Sequence, residues 1–172
     1  MLKQGLNHVS VAHTLVMFAL GLLSWSIVEY TLHRFVFHLA TDTTMWNYFH
    51  FFAHGIHHLT PNDSTRLTFP PTFSGVIALA LAQLPGIIPE ATGIQPFLAG
   101  LATGFVLYDT AHYYFHHGDA TWLPAFFQKQ KSIHLNHHYK DDSANFGVTT
   151  PLFDWVFGTL PKKPPQVTGK SA

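Results

Sequence analysis

Residues 9–38 read VSVAHTLVMFALGLLSWSIVEYTLHRFVFH, and the first charged side chain in this stretch is Glu29. A helix rises about 1.5 Å per residue, so this stretch is longer than the ~30 Å hydrocarbon core of a bilayer. The expectation is a membrane-crossing helix whose far end, carrying His33 and His38, projects into water. A secretory leader is the competing reading, since Lys3 precedes the run. That reading fails because the apolar run continues into Glu29 to His33 without a small-residue cleavage site.

Outward from this stretch, residues 67–89 and 91–108 are also free of charged side chains. The pattern predicts an all-α integral membrane domain occupying residues 1–172. Its approximate spans are 9–32, 72–89 and 95–115, the last two forming a hairpin, and residues 162–172 form a loose tail. Pro70, Pro71, Pro85 and Pro89 make the second span the least regular. Residues 41–58 read as a surface helix rich in interfacial aromatics, with Asp42 or Thr43 as cap. The last span is expected to continue from Pro96 through His117, and a further helix to cover 126–139.

Composition agrees: 47% of residues are hydrophobic, 15% aromatic and only 10% charged. A net charge of zero gives no nucleic-acid footprint. With no cysteine, disulfides, iron–sulfur clusters and thiolate-ligated haem are excluded. Lys3 precedes the first span, whereas Arg34, Arg66, Lys129, Lys131, Lys140, Lys162, Lys163 and Lys170 accompany the histidines. By the positive-inside bias, the histidine-bearing cap faces the cytoplasm.

Ten histidines form four clusters: His33 and His38; His54, His57 and His58; His112 and His116; His134, His137 and His138. Neutral imidazole suits iron, zinc and copper. Residues three or four apart share a helix face, so each of the last three clusters can converge on a point. His33 and His38 lie about 140° apart on a regular helix and would address separate metals unless the helix unwinds between them. Ten ligands exceed what one ion accepts, whereas two ions with about five nitrogens each keep one open position apiece. His8 and His13 read as ordinary packing residues, and His50 and His117 as possible neighbours of the site. Glu29, Asp63 and Asp109 sit close enough in sequence to receive the second ring N–H of metal-binding histidines. Equally, Glu29 and Asp109 could pair with Arg34 or a lysine at the membrane surface.

Residues 29–38 and 54–58, with Pro61, Asp63, Arg66, Leu67 and Pro70-Pro71, resemble the fatty acid hydroxylase superfamily. The match extends to Tyr108-Asp109 before residues 112–116, to residues 134–140, to Phe146-Gly147-Val148-Thr149-Thr150 and to residues 154–159. Together these look like the fatty acid 2-hydroxylase branch. The resemblance implies a di-iron centre held by all ten clustered histidines, with zinc able to substitute in purified protein. It implies dioxygen as co-substrate and hydroxylation at C2 of a long fatty acyl chain, free or lipid-linked. It also implies a separate electron donor, a b-type cytochrome or ferredoxin-like protein, and a home in the bacterial inner membrane or endoplasmic reticulum. A sterol or carotenoid hydroxylase or desaturase of the same superfamily is the nearest alternative. A metal-binding or transport protein is the non-enzyme one, disfavoured because the spans hold few polar residues. Oligomeric state and substrate-binding residues are left open.

Overall fold

The structure, a computed structural model, describes residues 10–39, 41–66, 93–119 and 121–161. The expected span at 72–89 and the tail at 162–172 lie outside the described residues. Helix α1 covers Val11–Leu32 and passes directly into a π-helical turn, His33–Phe37. Ser10 caps its start by accepting the His13 amide at 3.1 Å. Short helix α2, Thr44–His50, leads into a second π-helical turn, Phe51–Gly55, and then α3, Ile56–Leu59. Helix α4 covers Gln95–His117, α5 Ala125–Tyr139 and α6 Leu152–Phe157.

The expected helix at 41–58 is thus divided. Thr43 occupies its cap position without a side-chain hydrogen bond. Pro96 near the start of α4 suits a first turn, where a missing amide costs no hydrogen bond. The short helix α6 has no counterpart in the sequence expectation. It follows Pro151 and ends at Gly158, whose φ of +69° is the left-handed cap conformation that glycine adopts freely.

Helices α1 and α4 form the stem. Their backbones nearly touch: a Cβ on Gly21 would stand 2.0 Å from the Phe97 carbonyl oxygen, and one on Gly100 2.1 Å from that of Phe18. Small residues at a crossing allow such close approach, which dispersion then rewards. Gly100→Val should force α1 and α4 apart and destabilise the fold by about 1–3 kcal/mol or more, the range for overpacking. Thermal unfolding in detergent reads this; an unchanged midpoint would mean that the crossing is loose.

Val11–Phe37 is the one helix among the described residues long and apolar enough to cross a membrane; α4, at 23 residues, is long enough but less apolar. The outside of the stem is apolar: Val11, Leu15, Val16, Leu23, Val106 and Leu107 are all more than half exposed. The cap on the stem inverts this pattern. Its buried set includes Glu29, His33, His54, His57, His112, Gln130, His134, His137, Asn145 and Asp154, with Tyr30, Phe37, Phe115, Ile133, Phe146 and Val148 filling between them. Polar groups at that density need partners, and those partners define the site.

Candidate metal centre

The cap gathers the ten clustered histidines into two groups of five. His33, His38, His54, His58 and His137 form one; His57, His112, His116, His134 and His138 form the other. Within each group one nitrogen per ring lies within 4.8 Å of every other. The inward atoms are Nε2: His33 and His58 each approach His54 at 3.0 Å, His137 approaches His38 at 3.1 Å, and His57 meets His112 at 3.0 Å and His138 at 3.1 Å. His116 and His134 meet at 2.8 Å.

Three placements differ from the sequence expectation. His33 and His38 join the same group, because the π-helical turn bonds the His38 amide to the His33 carbonyl at 3.1 Å. An i→i+5 turn brings residues five apart onto one face, where a regular helix would separate them. The clusters 54–57–58 and 134–137–138 do not each converge on one point either. His54 and His58 serve one group while His57 turns to the other, and His134 and His138 serve the second group while His137 turns to the first. On a helix, the residue three on and the residue four on lie on opposite sides of the starting residue, about 100° apart, so neighbouring histidines address different centres. His112 and His116, four apart, share a group as the spacing predicts.

None of the three carboxylates expected behind the rings is found there. Glu29 is buried but accepts from the Val148 and Thr149 amides and the Thr149 hydroxyl. Nor does it pair with Arg34, whose guanidinium donates to the Tyr30 hydroxyl at 2.7 Å. Asp63 caps its own turn through Thr65 and pairs with Arg66 at 3.1 Å. The Oδ1 atom of Asp109 is buried without a hydrogen-bond partner. Two of the rings use backbone carbonyls in their place: His33 Nδ1 donates to Phe146 O at 2.6 Å and His137 Nδ1 to Ala144 O at 2.7 Å. Sequence spacing does not reveal these acceptors, because any residue supplies a carbonyl. The neighbouring Asp154, whose carboxylate takes the Phe146 and Gly147 amides at 2.8 Å each, was visible only as part of the family-like stretch 154–159.

His50 and His117 stay outside both groups. The His50 ring lies 6.4 Å from that of His38, and His117 packs on Tyr113 at 4.9 Å. His13 donates to the Gly93 carbonyl at 3.3 Å, a packing role, and His8 lies outside the described residues. Beside His38 a pocket of about 290 Å³ opens, lined by Arg34, Phe35, Asp142, Ser143 and Phe146.

The donor set fits metal ions. His33 and His137, with Nδ1–H bound to carbonyls, must present bare Nε2 lone pairs inward. Several such lone pairs aimed at one point repel unless a cation lies between them, whereas neutral nitrogen donors are what first-row metals accept. Burial first, and then the neighbouring imidazoles, push His38 and His57 down to about 3 and hold His54, His58, His134 and His138 well below the ordinary histidine range. The rings are therefore neutral and ready as ligands at physiological pH.

These depressed values carry a stability prediction for metal-free protein. The unfolded rings take up protons near pH 6.5, the folded ones only near pH 3 for His38 and His57. Stability should be level above about pH 7 and fall as acid loads the unfolded state alone, across the window from about 6.5 to 3. Thermal midpoints in chelator between pH 8 and 4 check this; a flat profile would show that the rings are not held neutral.

Residues 18–159 match the family model described as fatty acid hydroxylase. The chain is 41% identical over 143 residues to a dihydroceramide fatty acyl 2-hydroxylase of Arabidopsis thaliana, covering 83% of this chain and 60% of that one. It is 41% identical over 152 residues to the fatty acid 2-hydroxylase of Homo sapiens, covering 86% and 40%. It therefore spans between two fifths and three fifths of these relatives' lengths. A solved structure of full-length scs7p, in which only the hydroxylase domain is visible, superposes with a TM-score of 0.74 at 34% identity, covering 92% of this chain and 61% of that one. By its matched length, and with two histidine groups built on the same scaffold, the chain belongs to the fatty acid hydroxylase family.

Proposed function

We propose that this chain is a membrane-bound, O2-dependent hydroxylase acting on C2 of a long fatty acyl chain, free or within a ceramide-type lipid. The observation that carries the reading is the pair of five-imidazole groups at the membrane-distal end of an apolar stem. His33, His38, His54, His58 and His137 hold one iron, and His57, His112, His116, His134 and His138 the other. Iron bound there supplies the redox chemistry that activates dioxygen; the protein contributes position and surroundings.

The rings themselves bring no negative charge to the ions, and among the described residues no carboxylate belongs to either group. Six of the ten rings are buried, which limits the access of bulk water to the two sites. The exposed apolar flanks of α1 and α4 contact lipid, and an acyl chain reaches the cap from that side with its head at the interface. Arg34, Asp142 and Ser143 offer polar lining for such a head in the opening beside His38. Depth in the bilayer thereby selects carbons near the carboxyl or amide end. Three spans, a cytoplasmic cap and a separate electron-donor protein complete the proposal; the clustering of cations beside the histidines supports that orientation.

Iron-loaded protein supplied with electrons, labelled dioxygen and acyl lipid should place label in a 2-hydroxy product. Zinc-loaded protein should be inactive, because zinc has no accessible redox change. Equal activity with zinc would overturn the redox reading. An unlabelled 2-hydroxy pool with an altered sterol or carotenoid would move the substrate to another branch of the superfamily.

A further inference from the structure

The two histidine groups differ in what stands behind their rings. A neutral imidazole that binds a cation through Nε2 carries its proton on Nδ1, and burying that N–H without an acceptor costs about 1–3 kcal/mol. In the first group, His33 and His137 give this proton to Phe146 O and Ala144 O. In the second, the Nδ1 atoms of all five rings, His57, His112, His116, His134 and His138, are buried without a hydrogen-bond partner.

The carbonyls that make the difference belong to a segment with unusually complete anchorage. Every amide from residue 145 to residue 149 is bound: Asn145 N–H to Thr159 O at 2.9 Å, Phe146 and Gly147 to the Asp154 carboxylate, Val148 and Thr149 to Glu29. Gln130 on α5 donates through Nε2 to the Val148 carbonyl at 3.2 Å. Asn145, with φ at 64°, makes a left-handed step between the two carbonyls that face the rings, a conformation asparagine tolerates better than most residues. Asp154 is itself braced. Its Oδ1 accepts the single Thr159 hydroxyl proton at 2.7 Å, so the Tyr30 hydroxyl must donate to Thr159 at 3.0 Å while accepting from Arg34.

We infer that residues 144–149 are a strap, positioned by Asp154 and Glu29, that makes the His33–His38–His54–His58–His137 site the tighter of two unequal ion sites and leaves the other exchangeable. A carbonyl on Nδ1–H fixes the tautomer before the ion arrives and raises the electron density at Nε2. The second group lacks both advantages. Asp154 is a positioning residue: it touches no ring and acts through the Phe146 and Gly147 amides. The inference rests on the metal-binding reading above, and the following measurement separates the two.

Full-length protein stripped with chelator is titrated with Co²⁺, read by its visible absorption and by competition with a chromophoric chelator. The expected result is two steps at least ~10-fold apart in affinity, by the usual effect of a ligand's outer hydrogen bond. His58→Ala removes the tighter step and His116→Ala the weaker. Asp154→Asn turns an amide NH2 toward one of the two strap amides, and should weaken the tighter step by ~10–100-fold while leaving the weaker one in place. A single step of two equal ions, or the tighter step surviving in His58→Ala and lost in His116→Ala, overturns the strap inference while ion binding stands. So does equal weakening of both steps in Asp154→Asn, which marks general loosening. Should Asp154→Asn fail to fold, step order in the parent and the two histidine variants decides. Undiminished uptake of two ions by the double variant His58→Ala/His116→Ala would overturn the metal reading itself.

Discussion

His57→Ala is expected to abolish turnover, a loss beyond ~100-fold, because deleting a ligand should cost more than the 10–100-fold typical of deleting a ligand's outer hydrogen bond. The same holds for His58→Ala, yet the two adjacent residues belong to different groups. Pairwise substitution exposes this. His57 and His112, 55 residues apart with Nε2 atoms at 3.0 Å, belong to one group, so on the proposed assignment His57→Ala/His112→Ala should retain one metal per chain. His57→Ala/His58→Ala should weaken both ions instead of deleting one. Metal content and 2-hydroxy fatty acid output, measured on protein whose helical circular dichroism matches the parent, give the answer. Full activity in either single variant would sink the ligand assignment.

Glu29→Ala is expected to be the most destabilising change away from the histidines. It strands the Val148 and Thr149 amides and the Thr149 hydroxyl in a buried setting, where each unmet group costs about 1–3 kcal/mol. A total of ~3–9 kcal/mol corresponds to a fall of ~6 °C or more in thermal midpoint for a chain of this size. Glu29→Gln should fall far less, since its carbonyl oxygen still accepts both amides and the Thr149 hydroxyl can turn to accept from the new NH2. Thermal unfolding of the three proteins in one detergent checks the order. Equal behaviour of Ala and Gln, or no fall with Ala, would remove Glu29 from its anchoring role.

Some of this was legible in the residues alone and some was not, for a definite reason. The apolar run ending at Val28, the long α4 from Pro96 to His117 and the ten histidines follow from composition and helical spacing, which are local properties. Spacing also implies that ten imidazoles exceed one ion. It does not say which ring joins which centre, because a helix face only limits direction; the neighbouring helix decides the target. His57 and His137 each leave their sequence neighbours for the other group, and His33 reaches His38 only through a π-helical turn that no residue pattern announces. The carboxylates misled for the same reason: Glu29 lies four residues before His33, yet its partners are 119 and 120 residues away. Asp154, with no histidine near it in sequence, stands closer to the chemistry than Asp63 does.

The anchorage of Glu29 bears on biosynthesis. The ribosome produces this carboxylate early, at the end of the first apolar helix, and its amide partners well over a hundred residues later. A bare carboxylate is costly in hydrocarbon, so until residues 148 and 149 arrive the nascent helix keeps that end hydrated or the group protonated. Assembly of the cap, and any loading of ions into it, must therefore wait until residues some 120 positions beyond Glu29 have been made.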